Sequence, residues 1–113
     1  MKDKRVTQLA KKRERLAEQM PNASTALTGS LMSRMVRCNK AGCRHCQKGQ
    51  GKGHGPIWIL SVSEGRGRVR QIPIPRHLKR EVEDGLRRFA DIQSVLRQIG
   101  KVNQQLLEQR KRQ

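Results

Sequence analysis

Two different hydrophobic periods run along this chain, and the switch between them sets its outline. Over residues 1–20, Val6, Leu9, Leu16 and Met20 recur near one face of a helix among basic residues, so a short basic helix is expected there, ended by Pro21-Asn22. Residues 21–30 are mostly small and polar and read as a linker, followed by a short strand from Leu31 to Arg37. Residues 57–74 then alternate with period two. Trp58, Leu60 and Val62 fall on one face and Ser61 and Ser63 on the other, with Glu64-Gly65-Arg66-Gly67 supplying turn glycines. In the return strand Val69 is expected to face the core, with Arg66, Arg68 and Arg70 on the opposite face. Ile72 and Ile74 share the parity of those arginines, a conflict that a bulge or a strand end before Pro73 would remove.

After Pro75 the period lengthens. A helix over 76–110 carries a heptad frame with Val82, Phe89, Leu96 and Asn103 at a positions and Ile92, Ile99 and Leu106 at d, while Gly85 weakens the first d. A single Asn at an a position fixes register and favours parallel dimers, so a homodimer through this helix is expected. The same stripe would also serve for packing back on the hairpin or the first helix.

Composition explains why such a chain needs help to fold. Of 113 residues only 34% are hydrophobic, and the aromatics are Trp58 and Phe89. One domain of this size and content buries little apolar surface, and a metal or a partner subunit is the usual supplement. The formal net charge of +17 attracts polyanions, with nucleic acid ahead of an acidic membrane surface or an acidic protein. No apolar run is long enough to span a membrane, and the basic N-terminus is not a signal peptide. A cytoplasmic location follows, nucleoid-associated if the partner is DNA. In that reducing compartment three cysteines do not argue for disulfides.

Those cysteines are spaced Cys38-x4-Cys43-x2-Cys46-x7-His54. Three thiolates and an imidazole match the tetrahedral donor set of structural zinc. The glycines at 49, 51 and 53 let the chain double back to deliver His54, and nearby cations ease thiolate formation. His45 is the rival fourth ligand, disfavoured because it is adjacent to Cys46 within the knuckle. No acid occurs between residues 19 and 63, so an open catalytic zinc would lack a general base. No nucleophilic triad is legible, and Gly49-Gln50-Gly51-Lys52-Gly53 lacks the Gly-Lys-Ser/Thr ending of a phosphate loop, so no enzyme is expected.

The same stretch is dense in cations. Arg34, Arg37, Lys40, Arg44, Lys48, Lys52, Arg66, Arg68 and Arg70 face a single acid, Glu64, over residues 34–70, and are expected to form one phosphate-binding surface. Lys11-Lys12-Arg13 and Arg110-Lys111-Arg112 would add affinity without base readout.

Gly29-Ser30, the Cys38/Cys43/Cys46 cluster, His54-Gly55-Pro56, Leu60-Ser61, Ile72-Pro73 and the helix after Pro75 resemble a family of short, uncharacterised prokaryotic proteins, a domain of unknown function, over roughly residues 28–107. Cys43-x2-Cys46 is one residue longer than that family's spacing, and Trp58 stands where a tyrosine is expected. The resemblance implies a zinc-and-hairpin module, often near mobile genetic elements, and brings no activity. The expected architecture is thus α+β: a basic helix (1–20), a linker (21–30), a zinc-stapled three-stranded module (31–75) and a long coiled-coil-like helix (76–113). The expected function is non-enzymatic binding of nucleic acid, DNA before RNA, by an accessory or regulatory protein. The alternative is a protein-interaction adaptor acting through the last helix.

Overall fold

A computed structural model describes residues 4–37 and 53–112. The fold is α+β: helix α1 (Lys4–Glu18), strands β1 (Ser30–Val36), β2 (His54–Gly65) and β3 (Arg68–Ile74), then helix α2 (Lys79–Lys111). A single 3-10 turn, Arg76–Leu78, follows Pro75 and leads into α2, closed by Leu78 N–H donating to the Pro75 carbonyl at 2.9 Å. Proline at this point costs nothing, since a first-turn N–H has no helical acceptor. Two compact units divide the chain, Leu27–Leu86 and the pair Met1–Ala26 with Arg87–Gln113.

The unit over Leu27–Leu86 is built on an antiparallel sheet in the order β1-β2-β3. β2 pairs with β1 through Leu31↔Leu60 and Ser33↔Trp58, and with β3 through Leu60↔Ile72 and Trp58↔Ile74. Opposed residues of an antiparallel pair share a face. Ile72 and Ile74 therefore join Trp58, Leu60 and Val62, where Leu60 is 3% exposed. Val69 opposes Ser63 on the other face and is 60% exposed, which corrects its expected core position. The parity conflict is resolved neither by a bulge in β3 nor by an early strand end. β3 runs unbroken through Pro73, which an edge strand tolerates because its outward N–H needs no partner. The arginines share the core parity instead, and Arg70 escapes burial because it lies toward the hairpin end, where it pairs with Glu64 at 3.1 Å.

That hairpin closes through Arg66 and Gly67, both at positive φ (53° and 74°), the backbone a type I′ loop demands. The register slips between Ser63 and Gly65, leaving Glu64 as a bulge residue. At the other end of β2, the register with β1 slips between Arg34 and Val36, so that Gly55 and Pro56 together oppose Met35.

Gly29, just before β1, has φ +127°, and a Cβ there would lie 2.9 Å from the Ser61 carbonyl oxygen and 3.0 Å from a Leu60 methyl. Only glycine lets the chain enter the sheet at that distance. The first turns of α2 complete this unit. Val82 and Gly85 are buried, Leu27 N–H donates to the Gly85 carbonyl at 3.0 Å, and Lys79 Nζ sits 4.1 Å from the Trp58 ring centroid. Burying one Leu, Ile or Val side chain contributes about 1.5–3 kcal/mol, so Ile59, Leu60 and Val82 are the main apolar anchors here.

In the second unit α1 and the later turns of α2 run antiparallel. Arg88 Nη1 donates to the Asn22 carbonyl at 3.4 Å, and Arg13 Nη1 to Asn103 Oδ1 at 3.3 Å. Val6 and Ala10 line a cleft with Leu106 and Leu107. Among the described residues of this unit, Leu16 and Val102 are the buried ones.

Candidate nucleic-acid interface and metal centre

The expected site residues fall into three groups. Cys38, Cys43, Cys46, the rival His45, and the cations Lys40, Arg44, Lys48 and Lys52 lie in residues 38–52, outside the described residues. His54 is described: it opens β2, is half-buried and opposes Val36. Among the described residues no group of three or more His, Cys, Asp or Glu can hold a metal, and none of the three cysteines is among them.

What the fold does establish is where the cysteine segment starts and ends. β1 and β2 pair up to Val36↔His54, so the chain leaves the sheet after Val36 and re-enters it at the neighbouring strand position. Gly53 tightens that return. Its φ is +83°, and a Cβ on it would come within 2.9 Å of the Val36 carbonyl oxygen. Cys38 stands two residues after Val36, and His54 is Val36's partner in register. Val36 and His54, which flank the segment that carries the cysteines, are thus partners on neighbouring strands, and the donor chemistry of three thiols and an imidazole would suit a tetrahedral zinc.

The described cations separate by face and by end. Arg34 opposes Ile57 and lies on the face of Met32 and Ile59, whereas Arg68 and Arg70 belong to the face of Trp58. Arg66 sits in the hairpin loop, and Arg37 follows β1 at the His54 end. From Ile57 to Val62, the partner of Arg70, the sheet advances about 17 Å at 3.3–3.4 Å per residue. Arg34 with Arg37 and Arg66 with Arg68 and Arg70 are thus two clusters, one at each end of the sheet. Arg70 is tied to Glu64, whereas Arg34, Arg37, Arg66 and Arg68 make no ion pair among the described residues.

The heptad stripe is divided between the two units. Val82 is buried in the first unit. In the second, Phe89, Ile92, Ile99 and Leu106 are half-buried, but Leu96 is 55% exposed and Asn103 is exposed at the surface, holding Arg13. Val102, outside the frame, is 2% exposed. The buried line there runs 95–99–102–106, because α1 is the partner that selects the face. Leu96 and Leu107 (65% exposed) are left on the outside.

Sequence reasoning missed Val102, the contact of Leu27 with Gly85, and Lys79 over Trp58. The spacing of Val95, Ile99, Val102 and Leu106 was the available signal for the first. A glycine interrupting an amphipathic helix signalled the second.

No described helix is long and apolar enough to cross a membrane. A family model described as a domain of unknown function, DUF6788, matches residues 6–84, which takes in α1 from Val6 onward, the sheet and the first turns of α2. Comparison with curated proteins and with solved structures finds no match.

Proposed function

The chain belongs to the DUF6788 family, and we propose that this member is a non-enzymatic nucleic-acid-binding accessory or regulatory protein, acting on DNA before RNA, with one structural zinc. The observation that carries the reading is the unbalanced charge of the sheet module. Residues 19–63 contain no acid, and of the described arginines over 34–70 only Arg70 has an ionic partner. Unneutralised arginines repel one another in the folded state, and a phosphate backbone removes that cost while binding each guanidinium in bidentate fashion.

Zinc held by Cys38, Cys43, Cys46 and His54 would anchor residues 38–52, with their four further cations, at the joined ends of β1 and β2. When bound, the metal supplies a crosslink and no chemistry. Location in the cytoplasm, on the nucleoid, belongs to the same reading, as does a homodimer through α2 that spaces two basic modules. An adaptor role is the second reading, supported by the exposed Leu96 and Leu107 on α2.

A salt titration with labelled duplex DNA tests the proposal. Log affinity should fall linearly with log salt, each neutralised phosphate adding about 0.9 to the slope. Changing Arg66, Arg68 and Arg70 together to Glu should weaken binding and flatten the slope. Retained binding by that variant would remove the hairpin from the interface. No binding at low salt, with capture of a protein partner by the intact chain, would leave the adaptor reading.

A further inference from the structure

The first helix carries a charge arrangement that its role in packing does not explain. At 3.6 residues per turn, Val6, Leu9, Ala10 and Leu16 share one arc of α1. Leu16 is buried, the other three are half-buried, and Arg13 lies in the same arc with its guanidinium on Asn103. The remaining cations do not surround this face evenly. Lys4, Arg5, Lys11, Lys12 and Arg15 fall within about 120° on one flank, and both acids of the helix, Glu14 and Glu18, fall outside that arc. Lys4, Arg5, Gln8, Leu9, Lys12 and Arg15 line one shallow groove along the helix.

A helix stabilised by its own surface charges interleaves signs at i and i+4. Here like charges are gathered instead, and Lys4, Lys11, Lys12 and Arg15 make no ion pair among the described residues. With the apolar arc packed inside its own unit, the helix is not free to lay that face in a membrane. The cationic flank is held open and pre-ordered along a straight line. From Lys4 to Arg15 it extends about 16 Å at 1.5 Å per residue. One strand of duplex DNA carries a charge every 3.4 Å of axis, so this length faces about five phosphates.

We infer that α1 is a second phosphate-tracking surface of this protein, in which Lys4, Lys11, Lys12 and Arg15 contact the backbone of the nucleic acid without reading its bases. The inference rests on the nucleic-acid reading above, and it assigns to a rigid helix the contacts that a flexible basic arm would otherwise make. Arg13 is excluded from the surface by its bond to Asn103.

The full chain with Lys4→Gln, Lys12→Gln and Arg15→Gln tests it against a control, Arg80→Gln, Arg97→Gln and Lys101→Gln, that removes the same charge from α2. Glutamine keeps helix propensity, so circular dichroism should be unchanged in both. Titrated with duplex DNA, the α1 variant should lose about 2.7 from its log–log salt slope, three phosphates at 0.9 each. The control should lose less than one such step, about 0.9. In the unsubstituted chain, DNA should protect Lys4, Lys11 and Lys12 from acetylation more than Lys101. Equal slopes in the two variants, or equal protection of all four lysines, overturn the α1 assignment while leaving the nucleic-acid reading intact. Absence of any salt-dependent binding by the unsubstituted chain overturns both.

Discussion

Replacing Gly29 with Ala puts the entry of β1 into the sheet directly to the test. The residue has φ +127°, a conformation that an L side chain reaches only at a cost of about 1–3 kcal/mol. The added Cβ would also stand 2.9 Å from the Ser61 carbonyl oxygen. Backbone of the central strand cannot swing aside as the end of a lysine would, so relief requires β1 to move off β2. A total loss of about 2–4 kcal/mol is expected, a large part of the 5–15 kcal/mol that holds a small domain together. Trp58 is the single tryptophan and lies on the sheet, so urea unfolding followed by its fluorescence reports the affected element. Gly67→Ala is the matched control. Its φ is +74°, yet a Cβ there meets nothing within 4 Å, leaving only the left-handed penalty of about 1–2 kcal/mol. A Gly29→Ala chain within about 0.5 kcal/mol of the unsubstituted protein, the usual range of a neutral surface change, would refute the close approach. So would a Gly67→Ala loss as large as that at Gly29.

Two further outcomes follow from the same structure. Val102→Ala removes two buried methyl equivalents and should cost about 2 kcal/mol, whereas Leu96→Ala, 55% exposed, should change monomer stability by less than about 0.5 kcal/mol; the reverse order in chemical denaturation would reinstate the regular heptad frame. Cys43→Ser should lower bound zinc, measured by elemental analysis, from one per chain toward none, and reduce DNA binding in parallel, since a structural zinc contributes directly to folding free energy. DNA affinity that survives loss of the metal would separate the two roles.

Much of the α+β outline follows from local rules that a sequence displays openly. Pro21, Pro75 and the Gly65–Gly67 loop punctuate the chain, and the switch from period two to a helical period separates β3 from α2 within a few residues. The spacing of the three cysteines with His54 is equally visible as chemistry. Its donors need only be counted, although residues 38–52 lie outside the described structure. The unbalanced charge was legible too, because no folding step can create acids where residues 19–63 have none.

Pairing between distant segments decided the rest. Local alternation could not say whether Val69 or Ile72 faces the core, because only the register Leu60↔Ile72, offset by the bulge at Glu64, chooses between them. Nor could it divide the arginines, since Arg34 and Arg68 acquire opposite faces through partners on β2 that are remote in sequence. The heptad frame treats α2 as one uniform stripe, but burial is chosen by whatever packs against each part. Val82 and Gly85 meet the sheet unit, and Val102 is buried with α1 as its helical neighbour. The sequence alone determined which elements form and what charge and donors they carry. Tertiary structure decided which face each element turns inward, because burial depends on the neighbour as well as on the residue.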